Sequence, residues 1–262
     1  MPLSTEYVSK TAGPDGRFTY TSEETAVWRD LFDRQMRHLP QFACADFLSG
    51  LERLGLSRDT VPQVVDVDAR LRRLNNAGVV AVDALIPQDE FSGLLQARKF
   101  PVATFIRKRE HFDYIEEPDI FHECFGHCPM MTNDAFCQFL ERFGTLSLSL
   151  DAARVERLFR LFWFTVEFGL IREGDEIRAF GAGILSSPGE LAAAFSGEPD
   201  ILDFDLMTVL RTPYRIDIVQ PVYFLIERFE DLAKSIEGDV RSALDRAAAL
   251  GDLPARFDAV AS

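Results

Sequence analysis

The chain has 262 residues, is 47% hydrophobic, and carries 42 acidic against 28 basic side chains, a formal net charge of −14. Length and apolar content suit one large domain with a sizeable core. The acidic balance argues against nucleic acid or an anionic membrane as partner. The opening stretch MPLSTEYVSKTAGPDGRF has no apolar signal-peptide core, and the longest apolar run, LFWFTVEFGLI (161–171), is too short to span a bilayer. A cytoplasmic protein is expected, with Cys44, Cys124, Cys128 and Cys137 as thiols.

Residues 1–20 are polar with Gly and Pro and read as a flexible N-terminal tail. Helical spacing fills 21–39, where Thr21 and Glu24 form a capping box, and continues in amphipathic helices near 43–54 and 62–74. AGVVAVDAL (77–85) reads as a strand, PQDEFSGLLQARK (87–99) as a helix opened by Pro and acids, and PVATFI (101–106) as a second strand. Helices follow near 118–127, 133–150 and 152–170, then a hairpin over 171–183 turning at Gly174 and Asp175. A helix starts in 186–195, a strand-like run covers 214–226, and one long helix covers 228–249. The fold expected is mainly α (α+β): a single helical domain over 21–255 with a small antiparallel sheet or hairpin, and a short tail at 256–262.

The segment EPDIFHECFGHCPMM (117–131) holds His122 and His127 around Glu123, in the pattern H-E-x-x-x-H. Zinc proteases place two histidines four apart, on one helix face. Five apart on a regular α-helix, they lie about 140° out of phase. They can converge on one atom only if the backbone unwinds between them, which Gly126 would permit, with Pro129 stopping the helix. Glu167 sits in the apolar half of the helix ending FWFTVEFGL. A buried carboxylate needs a cation or a proton. His122, His127 and Glu167 together make a two-histidine, one-carboxylate set, the pattern of non-haem Fe(II) oxygenases, with zinc as the competing metal. Cys124 and Cys128 lack a second ligand pair and read as small buried residues.

The stretches EPDIFHECFGHCPMMTN, FWFTVEFGL, GAGILSSPGEL and QPVYF, in that order over roughly residues 80–230, resemble the tetrahydropterin-dependent aromatic amino acid hydroxylases. The likeness is nearest to their short bacterial members that act on phenylalanine. The resemblance implies the catalytic fold of that family and Fe(II) held by His122, His127 and Glu167. It implies that O2 and a tetrahydropterin co-substrate react at that iron to hydroxylate L-phenylalanine to L-tyrosine. It assigns Arg107 to the substrate carboxylate, Pro118 and Trp163 to the substrate ring, and Gly183 and Ser186 to the amino acid's main-chain atoms. It assigns Phe91, Glu123 and Phe162 to the pterin side. Phe162 replaces a tyrosine of animal members and Ile115 a threonine, which alters contacts around the site without removing a ligand. Ile216 stands where tyrosine hydroxylases carry an acid and so suits phenylalanine. With no regulatory domain and no heptad segment legible, a monomer is expected. Three readings stay open: this hydroxylase, with tryptophan as a further candidate substrate; a zinc hydrolase with Glu123 as general base; and a helical scaffold whose histidines only pack.

Overall fold

The structure is a computed structural model that describes residues 7–83, 86–115 and 117–257. The end of the predicted strand at 84–85, residues 1–6 of the expected N-terminal tail and 258–262 of the C-terminal one lie outside the described residues. The chain opens with α1 (Ser22–Met36), α2 (Leu39–Phe42), α3 (Ala45–Leu54) and α4 (Val64–Asn75). Then come β1 (Gly78–Val82), α5 (Gln88–Gln96) and β2 (Lys99–Ala103). A π-helix (Phe121–His127) precedes α6 (Asp134–Leu148) and α7 (Ala152–Phe162), and α7 runs straight into a second π-helix (Trp163–Glu167). The rest alternates: β3 (Gly169–Glu173), β4 (Glu176–Ala179), α8 (Ala182–Ser186), α9 (Pro188–Ala194), β5 (Asp200–Asp203), α10 (Leu206–Arg211), β6 (Val222–Ile226), α11 (Phe229–Ser235) and α12 (Val240–Leu250).

Local chemistry explains several boundaries. The predicted capping box forms: the Thr21 hydroxyl accepts the Glu24 N–H, and the Glu24 carboxylate accepts the Thr21 N–H at 2.7 Å. The predicted hairpin is β3–β4, antiparallel and turned at Gly174. The remaining strand pairing differs from the antiparallel expectation. β1 pairs with β2 in parallel, and the second sheet, ordered β4-β3-β6-β5, joins β3, β6 and β5 in parallel. Parallel neighbours need long crossovers. Here α5 lies between β1 and β2, and α8, α9 and α10 lie in the crossovers among β3, β5 and β6; none of the three parallel pairs shows as a local signal.

The long helix predicted for 228–249 is two. α11 ends before Gly238, and α12 restarts where the Asp239 side chain accepts the Ser242 N–H. The strand-like run 214–226 supplies only β6; residues 213–221 are an irregular segment ending in Pro221. Residues 7–20, expected as a loose tail, form no helix or strand yet are packed. Tyr7 and Phe18 are buried, Tyr7 stacks on Phe105 with centroids 4.8 Å apart, and the Lys10 N–H donates to Thr104 Oγ1 at 2.8 Å.

A single apolar cluster runs from Phe18 to Ala247. The first π-helix is fastened into it by Phe121 and Phe125, whose rings stack 4.6 Å apart. Around them stand Trp28 and Phe32 of α1 and Phe47 of α3, in edge contacts of 5.3 to 5.8 Å. α5 and α6 approach so closely that a Cβ on Gly144 would lie 2.4 Å from both Gln96 N and Ser92 O. Gly144→Ala would gain about 1 kcal/mol in helix propensity. The clash is with backbone that cannot step aside, at about 1–3 kcal/mol or more. A net loss of up to about 2 kcal/mol is therefore expected in urea unfolding; a gain in stability would mean that the two helices are not in contact here.

Candidate metal centre

The two histidines converge by a route different from the one spacing suggested. Residues Phe121–His127 do not unwind; they form a π-helix, in which hydrogen bonds close from i to i+5. The Cys128 N–H accordingly donates to Glu123 O at 3.2 Å. A five-residue step then overshoots one turn only modestly, so His122 and His127 fall on nearly the same face. Gly126 is not the exit. It is buried inside the helix, where a Cβ would sit 3.1–3.4 Å from Ala182 of α8. Pro129 does not force Cys128 out of the helical region either (φ −60°, ψ −35°) but opens a short 3-10 turn, Met130–Thr132.

Glu167 closes the second π-helix, where the Phe168 N–H donates to Trp163 O at 3.0 Å. Its main chain is pinned by the start of α8. A Cβ on Gly181 would lie 2.4 Å from Glu167 O, and one on Gly183 would meet the Phe168 ring at 2.6 Å and Glu167 O at 3.0 Å. Small residues here let α8 seat the carboxylate against the imidazoles.

The three side chains meet at their donor atoms. His122 Nε2 and His127 Nε2 are 3.1 Å apart, His127 Nε2 is 3.2 Å from Glu167 Oε1, and His122 Nε2 is 3.5 Å from Glu167 Oε2. A cation with bonds of about 2.1 Å touches all three from one side, which leaves its other side open. Glu123 also brings an oxygen within 4.8 Å of the imidazole donors. Glu167 has the better claim, because its two oxygens lie against both rings.

Surrounding groups fix the donors. The Ser186 hydroxyl donates to Ala182 O at 2.8 Å, so its lone pair accepts the His122 Nδ1–H at 2.9 Å. That bond selects the tautomer whose Nε2 lone pair faces Glu167 and His127. His127 packs against the Phe100 ring, centroids 4.4 Å apart, and its Nδ1 finds no hydrogen-bond partner among the described residues. Burial alone would raise the Glu167 pKa, but the imidazoles beside it outweigh burial and hold the carboxyl well below its usual range. Burial pushes His127 down, whereas in His122 the pull of Glu167 exceeds burial and the net shift is upward. Glu167 thus favours a proton on His122 where no metal cation sits between them. These observations fit a divalent metal.

Two expectations follow. Ser186→Ala should weaken Fe(II) binding by about 10- to 100-fold while the protein stays folded, as read by competition with a chelator. Metal uptake should expel the His122 proton. Apparent Fe(II) affinity should therefore fall as pH drops below the raised pKa of His122, and calorimetry in buffers of different ionisation heat should detect the released proton.

The other predicted residues lie around this centre. Arg107 is 6% exposed and forked onto Asp119, with Nε to Oδ2 and Nη2 to Oδ1 both 2.9 Å. Asp119, fully buried, also accepts the Arg107 N–H at 2.9 Å and the His122 N–H at 3.1 Å, so one carboxylate ties Arg107 to the histidine-bearing helix. Nothing in the sequence pattern singles out Asp119 for this part. The edge of the Phe91 ring meets Phe162 at 5.4 Å and Phe100 at 6.2 Å, on the wall that backs His127. Glu123 is buried, its Oε2 has no hydrogen-bond partner among the described residues, and burial first, with Glu167 next, pushes its pKa to about 8. Trp163 is half-buried between Phe168 and Tyr214, and Pro118 is half-buried one residue before Asp119. Gly183 and Ser186 lie buried on α8 behind Glu167 and His122. Ile115 packs on the small cluster of Tyr7, Ala103 and Phe105, and Ile216 is 65% exposed.

Comparison with known proteins accords with this geometry. The sequence pattern of the family described as biopterin-dependent aromatic amino acid hydroxylase matches residues 4–250. The phenylalanine-4-hydroxylase of Vibrio cholerae serotype O1 is 43% identical over 254 residues, 97% of this chain and 88% of that protein. Among solved structures, the apo form of the cold-active phenylalanine hydroxylase from Colwellia psychrerythraea 34H superposes with a TM-score of 0.93 at 42% identity, covering 96% of this chain and 98% of that one. The Chromobacterium violaceum phenylalanine hydroxylase with bound oxidised Fe(III) gives 0.87 at 38% identity, covering 92% and 89%. The chain belongs to the biopterin-dependent aromatic amino acid hydroxylases.

Proposed function

We propose that the protein is a phenylalanine 4-monooxygenase, which uses Fe(II), a tetrahydropterin and O2 to convert L-phenylalanine to L-tyrosine. The observation that carries this reading is the convergence of His122 Nε2, His127 Nε2 and Glu167 within 3.5 Å of one another, in a chain that matches two phenylalanine-4-hydroxylases at 43% and 41% identity over 97% and 95% of its length. Family membership also favours it over a zinc hydrolase or a scaffold.

His122, His127 and Glu167 would hold the iron, and the bound iron would supply the O2 chemistry of ring hydroxylation together with the pterin. The chain's own groups bind, orient and shield. Asp119 occupies the Nε and Nη2 positions of Arg107, which leaves Nη1 for the carboxylate of the amino acid. Pro118 and Trp163 wall its ring, and Gly183 and Ser186 shape the floor near its main-chain atoms. The Ser186 hydroxyl is already shared between His122 and Ala182, so its part is chiefly to aim the imidazole. Phe91 and Phe162 offer the pterin an apolar wall. Glu123, buried and with its Oε2 unpartnered among the described residues, has an oxygen free to hydrogen-bond the pterin side. The surrounding phenylalanines keep bulk water out.

No helix among the described residues is long and apolar enough to cross a membrane. We place the enzyme in the cytoplasm as a monomer, a state that the self-repelling charge of −14 favours and size-exclusion chromatography checks. The test of function is product analysis with Fe(II), tetrahydropterin and phenylalanine. Tyrosine should form in air and not under nitrogen. Turnover with zinc, without O2 or pterin, would instead indicate a hydrolase.

A further inference from the structure

One buried side chain outside the metal centre has a full set of partners that converge on the proposed ring wall. Gln220 is 2% exposed. Its Oε1 accepts the Trp163 indole N–H at 3.0 Å, and its Nε2 donates to Arg215 O at 3.0 Å and Ile218 O at 2.8 Å. Its own N–H donates to Glu190 Oε2 at 3.5 Å, an oxygen that also accepts the Tyr223 hydroxyl at 2.9 Å. Trp163 has Tyr214 stacked 4.6 Å from its centroid and Phe168 at 4.7 Å. Aromatic contacts hold the faces of the indole, but only a directed hydrogen bond fixes its rotation within that slot. The segment 212–219 has no helix or strand of its own, and Ile216 and Val219 are exposed.

We propose that Gln220 is a positioning residue that locks the Trp163 indole and the 214–219 segment into one rigid wall for the substrate ring. This rests on the reading that Trp163 contacts that ring. The task requires one acceptor and two donors on a single neutral side chain. Ionised glutamate cannot donate, methionine cannot donate and accepts only weakly, and asparagine is a methylene too short. The indole begins the π-helix that ends at Glu167, so the same clamp sets where the ring stands relative to the metal donors.

Two measurements test this on the full-length protein. The chain has two tryptophans, and the second, Trp28, bonds to Ser57 O, so indole N–H resonances give an internal control without turnover. Gln220→Met should shift the Trp163 indole signal and speed its hydrogen exchange by at least about 10-fold, leaving Trp28 unmoved. In assays it should raise the KM for phenylalanine about 10-fold and lower the tyrosine formed per pterin oxidised, with pterin KM and iron content unchanged. In a Trp163→Phe background the same substitution should change phenylalanine KM by less than about 2-fold, because the shared bond is already gone. Gln220→Glu, which keeps the acceptor and loses the donors, should fall between wild type and Gln220→Met. An unchanged Trp163 indole signal, fully additive effects of the two substitutions, or an equal fall in every kinetic constant would each overturn the clamp. Failure of the wild type to make tyrosine would sink the proposed activity instead, and the indole measurement would still decide the clamp.

Discussion

Replacing Asp119 by Asn is expected to cost about 3–5 kcal/mol of stability and to raise the KM for phenylalanine sharply. Asp119 is fully buried and takes four hydrogen bonds, two from the Arg107 guanidinium, one from the Arg107 main chain and one from that of His122. An amide presents only one oxygen, so its NH2 would face donors and the guanidinium would lose its counter-charge. Burial works against ionisation of Asp119, but Arg107 outweighs it and the folded pKa lies below the ordinary 3.8. The pair's contribution is therefore complete above that ordinary value and disappears only as pH falls through the depressed one. Denaturant unfolding at pH 7 measures the loss. The double variant Arg107→Met with Asp119→Leu should recover much of the stability, since no buried charge remains unpaired, yet bind phenylalanine poorly. A single Asp119→Asn loss below about 1 kcal/mol would show that the pair is solvated.

The second large effect is at Glu167. Glu167→Gln keeps the shape of the side chain and removes its charge, so the metal-free protein should still fold, less the stability that the carboxylate gains from the two imidazoles. Pterin-dependent tyrosine formation should fall on the order of 10³-fold, about 4 kcal/mol, because the carboxylate that neutralises the cation is gone. Steady-state assays at saturating Fe(II) provide the comparison. Activity within 10-fold of wild type would mean that Glu167 is not a ligand.

Much of this centre can be read from residue types. A pair of histidines beside Gly and Pro, and a glutamate in a run as apolar as FWFTVEFGL, point to a cation, and the structure brings the three together. The backbone that unites them is not legible in the same way. Spacing rules presume 3.6 residues per turn, and a five-residue step on that premise implies interruption. The π-helix satisfies it by widening, and Phe121 and Phe125 anchor that helix against Trp28, Phe32 and Phe47. Asp119 was missed because its partner Arg107 lies twelve residues away with no periodic pattern between them. Gln220 stands in the QPVYF stretch, but its role was not legible there, since its bonds run to main-chain oxygens and an indole distant in sequence. The parallel pairing of β3, β6 and β5 was hidden for the same reason: each partner lies beyond a crossover. The helix break at Gly238 was readable, as a glycine followed by a capping aspartate, but the apolar periodicity on either side masked it.

The most direct test is the iron content of the desalted protein after anaerobic loading with Fe(II), compared among wild type, Glu167→Ala and Glu123→Ala. One iron per chain is expected for wild type and for Glu123→Ala, and essentially none for Glu167→Ala. Iron retained in Glu167→Ala and lost from Glu123→Ala would contradict the proposed centre, because the metal would then sit with the neighbouring carboxylate and not with the one that closes the second π-helix.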